Sequence, residues 1–324
     1  MEPSIECISC GSREFTIVGF NSAFNNRRNV VRCNICGLAV VYPLPGEPEI
    51  AEFYAQEYTS KFKSYYKNMV ISDTLSLFHN FFLSMRIRQR LGFLAQNNIS
   101  LRGKKVLEIG SGNGAFLYAL KKERAQVFGI ELSRSEVKSS CGKFGIMPFS
   151  CSVKELSLHQ KEDYDLVFAY HVLEHLRDPL GEMMNIRQLI KKGGFFIGEI
   201  PYTPQAVDSF SLAIKKSVFD NIHLVHFNVK SVSNLLAKTG FQDINVGRLG
   251  LNSMVRRIYP QANLHYLHPS YEKPLAVRFF SFLEGVELCL KNILGRPTMG
   301  LQQMKDPDTE WQGPNDWISF LARG

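Results

Sequence analysis

The stretch Val106–Phe116, V-L-E-I-G-S-G-N-G-A-F, limits the possible folds of this chain more than any other. An apolar run stops at three glycines set two apart, and a helical pattern begins at once. Glycine permits positive φ and close approach of a ligand to the backbone, so the stretch reads as strand, binding turn and helix. The rhythm continues downstream. KVLEI, QVFGIEL, DLVFAY and FFIGEI are short apolar runs, and AFLYALKKER is the helix after the turn. Apolar strands alternating with helices predict an α/β chain with a mostly parallel sheet covered on both faces. A ligand then sits at the carboxyl ends of the strands, at the switch point beside the first one.

Two ligands fit the turn by spacing. Gly110, Gly112 and Ala115 satisfy the dinucleotide pattern G-x-G-x-x-G/A. Glu108 with Gly110, Gly112 and Gly114 satisfies E-x-G-x-G-x-G, a turn that holds S-adenosylmethionine. Glu131, at the end of the next strand, can accept both ribose hydroxyls of either cofactor and does not discriminate. Glu108 does, because a carboxylate beside the turn would repel a pyrophosphate. S-adenosylmethionine carries no phosphate and offers an ammonium and a sulfonium.

VLEIGSGNGAFL, GIELS, YDLVFAYHVLEHLRDP and IKKGGFFIGEIP together resemble the class I S-adenosylmethionine-dependent methyltransferases, over roughly Leu101 to Val246. The resemblance implies a Rossmann-like sheet of seven strands. Its last strand, Asp316 to Ala322, is expected antiparallel beside the strand at about Gln242 to Val246, leaving residues 250–313 as an insertion. It implies cofactor contacts at Glu108, Gly110, Ser111, Gly112, Gly114, Glu131, Leu132, Tyr170 and His171. It places Cys151, Ser152 and Val153 beside the adenine, where the family often carries Asp.

Four of the seven cysteines fall in the first 36 residues, as C-x2-C-x22-C-x2-C: Cys7, Cys10, Cys33 and Cys36. Gly11 and Gly37 follow the two pairs. A two-residue spacing lets both thiolates of a tight knuckle face one ion, and four sulfurs close a tetrahedral zinc site with no place for water. Such a site builds structure. The expected organisation is a zinc ribbon over residues 1–45, a helical extension over 46–100 and a methyltransferase domain over 101–324. Within the extension, Leu75, Phe78, Phe81, Phe82, Met85 and Leu91 recur at helical spacing. Arg86, Arg88 and Arg90 are interleaved with them and are expected on a wet face. In the insertion, Leu275, Phe279, Phe282, Val286 and Leu290 form a helical stripe, suited to substrate selection or oligomer contact.

Two histidine clusters invite chemistry. His171, Glu174 and His175 spell H-x-x-E-H, an inverted zinc-protease motif, but a catalytic zinc usually needs a third protein ligand. The methyltransferase resemblance explains the same letters without a metal, with Glu174 and His175 opening the next helix. The second cluster lies in F-D-N-I-H-L-V-H-F, residues 219–227. It resembles the acceptor-side segment of deoxysugar C-methyltransferases, which also carry a four-cysteine module. That family has tyrosine, glutamate and histidine as its acid–base set; here the positions hold His223, Val225 and His226. His226 is therefore the expected acid–base residue, with His223 beside it, and transfer to O or N is expected over C.

The composition is that of an ordinary globular chain, 45% hydrophobic and 21% charged. No apolar run approaches the roughly 18 residues that span a bilayer, and the first residues lack the basic and apolar regions of a signal peptide. A cytoplasmic protein is expected. The net charge of +8 permits an anionic partner, but its basic residues are scattered. The acceptor is expected to be a small molecule, by resemblance a nucleotide-linked sugar, and a homodimer is allowed. Two alternatives stand: an RNA methyltransferase using the ribbon to bind nucleic acid, and a cofactor-binding docking module without catalysis.

Overall fold

The computed structural model describes residues 5–24, 26–53, 86–204, 218–219, 222–249 and 317–324. The first strands are β1 (Phe15–Asn21), β2 (Arg28–Cys33) and β3 (Ala39–Tyr42), joined as an antiparallel meander. A short helix α1 (Glu47–Glu52) follows, and residues 86–96 form a second helix, α2.

The core begins at β4 (Lys105–Ile109), which runs through the glycine turn into α3 (Ala115–Lys122). Next come β5 (Gln126–Ile130), α4 (Arg134–Phe144), α5 (Val153–His159) and β6 (Tyr164–Tyr170). Then α6 (Pro179–Leu189) leads into β7 (Ile190–Pro201). The chain closes with β8 (Val225–His226), α7 (Val229–Lys238), β9 (Gln242–Leu249) and β10 (Trp317–Arg323). The large sheet has the order β5-β4-β6-β7-β10-β9. β5, β4, β6 and β7 are parallel, and β10 lies antiparallel between β7 and β9. β4 and β6 are buried along nearly their whole length, which explains why they read as continuous apolar runs. The chain winds outward from β4 to β5, then returns to β6 on its other side, so the switch point lies at the end of β4.

Among the described residues the sheet has six strands, not the expected seven. The missing one is reduced to the single parallel bridge Ile130↔Phe149. Phe149 makes both bonds of that bridge, donating to the Gly129 carbonyl and accepting from the Glu131 amide, and the ladder goes no further. The closing strand β10 takes the expected position beside β9. Glu174 and His175 do not open a helix: Leu173–His175 is a single 3₁₀ turn, and α6 starts at Pro179, capped by the Asp178 side chain. The stripe residues Leu75 to Met85 and the insertion 250–313, with its stripe, lie outside the described residues.

The cysteine segment is joined to the core through backbone and side chains. β8 pairs with β3, so the small sheet β1-β2-β3-β8 takes its last strand from beyond β7. The Asn228 side chain caps α7 by accepting from the Ser231 amide and donates to the Cys36 carbonyl at 2.9 Å. Lys230 donates to the carbonyl of Ile35, and Ser9 donates to that of Ser231. Cys7, Cys33, Cys36 and Leu38 belong to the same buried cluster as Leu224, Phe227, Val232 and Leu235. No helix among the described residues is long and apolar enough to cross a membrane.

Candidate functional site

The glycine turn works through backbone shape. Gly110, Gly112 and Gly114 all have positive φ, and the Ser111 amide donates back to the carbonyl of Ile130. A Cβ on Gly110 would stand 2.8 Å from Val172 Cγ2, so the turn lies against the loop after β6. Glu131, just past β5, accepts from the Gly112 amide at 2.8 Å and from the Ser133 amide at 2.7 Å. Glu108 is buried, and its Oε2 has no hydrogen-bond partner. Burial pushes its carboxyl up to about 8, although Arg90 pulls the other way. A cationic group arriving there would restore the carboxylate. Ser111 Oγ is likewise buried without a partner.

The expected adenine side is less open. Ser152 Oγ accepts from the Glu155 amide and donates to its carboxylate, so the hydroxyl caps α5. Val153 is buried as the first residue of that helix. Leu132 is 69% exposed.

Beyond the turn, α2 closes over the ends of β6 and β7. Arg86 and Arg90 both bind Glu199 Oε2, at 3.0 Å and 3.3 Å, so they do not lie on a wet face; Arg88 does. Burial would raise the Glu199 carboxyl, but Arg90 and Arg86 outweigh it and hold the group below its ordinary value. Arg90 also lies 3.7 Å over the Tyr170 ring, and Arg86 lies 4.0 Å over Trp317. Tyr170 is buried with its hydroxyl unpartnered. Sequence reasoning missed Glu199 and Trp317 and assigned Arg86 and Arg90 to solvent. A lone acid ending an apolar strand was the only available signal.

His171 follows with φ of 56°, a conformation that disfavours any residue with a Cβ. Its amide donates to the Glu199 carbonyl, and its Nε2 lies 3.2 Å from Arg86. Its Nδ1 faces Glu174 at 3.4 Å. His175 and His223 stack edge to face, with centroids 5.0 Å apart, and His226 lies 6.1 Å beyond His223. Thus the fold brings both sequence-predicted histidine clusters together. His226 sits in β8, opposite Ala39, with its ring edge-on to Phe219. Its Nε2 has no hydrogen-bond partner, and burial lowers its pKa to about 3.

In the N-terminal segment, Cys7, Cys10, Cys33 and Cys36 converge, with all four sulfurs within 4.8 Å of one another. Cys7 and Cys36 sulfurs are 3.4 Å apart, and Cys10 and Cys33 sulfurs 3.5 Å. Sulfurs at about 2.3 Å from a tetrahedral ion would be about 3.8 Å apart. The two knuckles match: Gly11 donates to the Cys7 carbonyl and Gly37 to that of Cys33. The hydrogen bond from Cys7 lowers Cys36 to about 5 and raises Cys7. The donor set therefore fits zinc.

Comparison with known proteins agrees with this geometry. A family model described as a methyltransferase domain matches residues 80–246. Ubiquinone biosynthesis O-methyltransferase of Leptothrix cholodnii is 32% identical over 132 residues, 39% of this chain and 55% of that protein. The protein of the same name from Bordetella bronchiseptica is 31% identical over 131 residues, 39% of this chain and 53% of its own. The chain thus spans about half the length of the curated relatives it matches. Among solved structures, phosphoethanolamine N-methyltransferase 2 of Haemonchus contortus superposes with a TM-score of 0.51. It is 17% identical and covers 95% of this chain and 68% of its own, a likeness of fold. The family match takes in just over half of the 324 residues, including the glycine turn and the sheet around it, and the chain belongs to the methyltransferase-domain family.

Proposed function

We propose that the chain transfers a methyl group from S-adenosylmethionine to an oxygen of a small molecule. The observation that carries this reading is the buried Glu108 beside the positive-φ turn: a cation there would restore its carboxylate, which a pyrophosphate cannot do. Glu108, Gly110, Ser111, Gly112, Gly114 and Glu131 would hold the cofactor, with Leu132, Ser152 and Val153 on its adenine side. Tyr170 and His171 would face the methyl group. The names of the curated relatives favour oxygen as the acceptor. A nucleotide-linked sugar remains our proposed acceptor class, by resemblance of residues 219–227 to the sugar enzymes.

The four cysteines would hold one structural zinc, which does not take part in methyl transfer. Residues 1–45 would form its ribbon, 46–100 an extension over the site and 101–324 the catalytic domain. The insertion 250–313 would select the acceptor or join two chains.

Methyl transfer needs the acceptor in line with the sulfonium, so positioning and exclusion of water supply much of the rate. His226 would take the acceptor proton, which requires the bound acceptor to restore the basicity that burial removes. If so, His226→Ala lowers turnover by about 10²- to 10⁴-fold with little change in cofactor affinity. Near-normal turnover in the variant would make His226 a structural residue. The overall reading is tested with labelled S-adenosylmethionine against nucleotide sugars, other small hydroxylated compounds and RNA. Calorimetry with S-adenosylmethionine and NAD runs in parallel. Binding of NAD alone would overturn the cofactor assignment, and label in RNA would move the acceptor to nucleic acid.

A further inference from the structure

Glu174 is 1% exposed, and neither of its carboxylate oxygens accepts a hydrogen bond. A buried carboxylate in that state is destabilising unless something cationic meets it. Arg86 does not, since it is engaged with Glu199 and His171, and His171 Nδ1, 3.4 Å from Glu174 Oε1, makes no hydrogen bond to it. Instead, imidazoles gather around the acid. One ligand atom each from Glu174, His175 and His223 lies within 4.8 Å of the other two. His175 Nδ1 is 3.3 Å from the Ile222 carbonyl, which can only accept, so Nδ1 carries the proton. The lone pair is then on Nε2, which lies 4.0 Å from Glu174 Oε1. A ring fixed through one nitrogen while the other faces the ligand set is how metal-binding histidines are held.

We propose that Glu174, His175 and His223 hold a divalent first-row transition-metal ion at the acceptor side of the site. One carboxylate and two imidazoles suit such an ion and leave positions open for substrate oxygens. Of the H-x-x-E-H letters the set takes Glu174 and His175, from the loop after β6, and leaves out His171; the fold supplies the third ligand, His223, from beyond β7. Nitrogen and oxygen donors also separate this site from the four thiols. His175 and His223 are only partly buried, which leaves an entry path.

The inference rests on the methyl-transfer reading for its purpose and deepens it. It implies an acceptor with two neighbouring oxygens, at least one a hydroxyl, able to chelate the ion. The ion would lower the hydroxyl's pKa, as it does for bound water. The proton would leave to His226, and an oxygen lone pair would form the new bond to the methyl carbon. The C–S electron pair would return to sulfur, leaving neutral S-adenosylhomocysteine. His223 then belongs to the ligand set rather than to proton transfer.

The test uses the full chain with its cysteine site zinc-loaded. Manganese(II) and cobalt(II) are titrated separately, followed by calorimetry and by the spectrum of the ion. One further equivalent per chain is expected, with affinity at least ten-fold weaker in Glu174→Gln and in His223→Ala. S-adenosylhomocysteine binding, measured on each variant, confirms that it is folded. Should a variant fail to bind the cofactor, His175→Gln replaces it. If neither ion binds the wild type, or the variants bind as tightly, the inference is overturned. Cofactor binding without metal binding would overturn this site alone. Metal binding without response to S-adenosylmethionine would leave the site standing and overturn the methyl-transfer reading.

Discussion

Glu108 couples the cofactor turn to pH. Its carboxyl is raised by burial to about 8 in the unliganded protein. A carboxyl whose folded pKa lies above its unfolded value, about 4.3, contributes stability that is fully present below that value and lost as pH rises toward 8. The unliganded wild type should therefore lose stability across this window relative to Glu108→Gln, measured by denaturant unfolding at several pH values. If Glu108 meets the cofactor ammonium, binding near neutral pH should also release a proton. Calorimetry in two buffers of different ionisation enthalpy reads that release, and equal heats would remove Glu108 from the contact. Gly110 is the sterically decisive neighbour. Its φ of 66° and the 2.8 Å approach to Val172 leave no room for a side chain. Gly110→Val should abolish cofactor binding and cost roughly 1–3 kcal/mol in strain. Unchanged affinity would show that the turn does not define the site. These residues were legible because their chemistry lies in one short run. Arg86 and Glu199 were not, since they meet across a separation of 113 residues and no local pattern says which face of α2 turns inward.

At the scale of elements, paired knuckles with glycines at matching offsets identified the cysteine site, and the structure closes it. What the sequence did not reveal is that β8 is a strand of that sheet. A two-residue strand, Val225–His226, carries no periodicity to read, and its partner β3 lies far away in the chain. If His226 serves the acceptor, as proposed, the same pairing ties the cysteine segment to that site, because His226 stands on β8. Zinc should therefore matter beyond the first residues. Elemental analysis should find a zinc lost in Cys33→Ser. That variant should also melt at a lower temperature and turn over more slowly, since metal binding and folding are coupled in such sites. Loss of zinc with unchanged melting and turnover would show that β8 and α7 stand without the ribbon. The missing third strand follows the opposite logic: the family pattern suggested it, and the chain makes only the single bridge at Phe149.

The whole molecule is closed by its last residues. β10 enters between β7 and β9, bonded to both, more than sixty residues after β9 ends. Its position was readable only by family resemblance, since a seven-residue apolar strand could pair with any free edge. Ile318, Phe320 and Ala322 are fully buried, and the Phe320 ring fills the space over Gly198. At about 1.5–3 kcal/mol for each large apolar side chain, these contacts match a sizeable part of the roughly 5–15 kcal/mol that holds a domain together. Removal also strips β9 of its neighbour and leaves β7 as a bare apolar edge, a template for aggregation. Trp317 leaves with the same strand, and with it the cation–π partner of Arg86. A chain ending at Asp316 should therefore show no cooperative melting transition and no binding of S-adenosylhomocysteine. Phe320→Ala, which keeps the strand, should fold with a loss of about 3–5 kcal/mol and still bind the cofactor. A truncated chain that melts cooperatively and binds the cofactor would mean that β7 and β9 can close the sheet without β10.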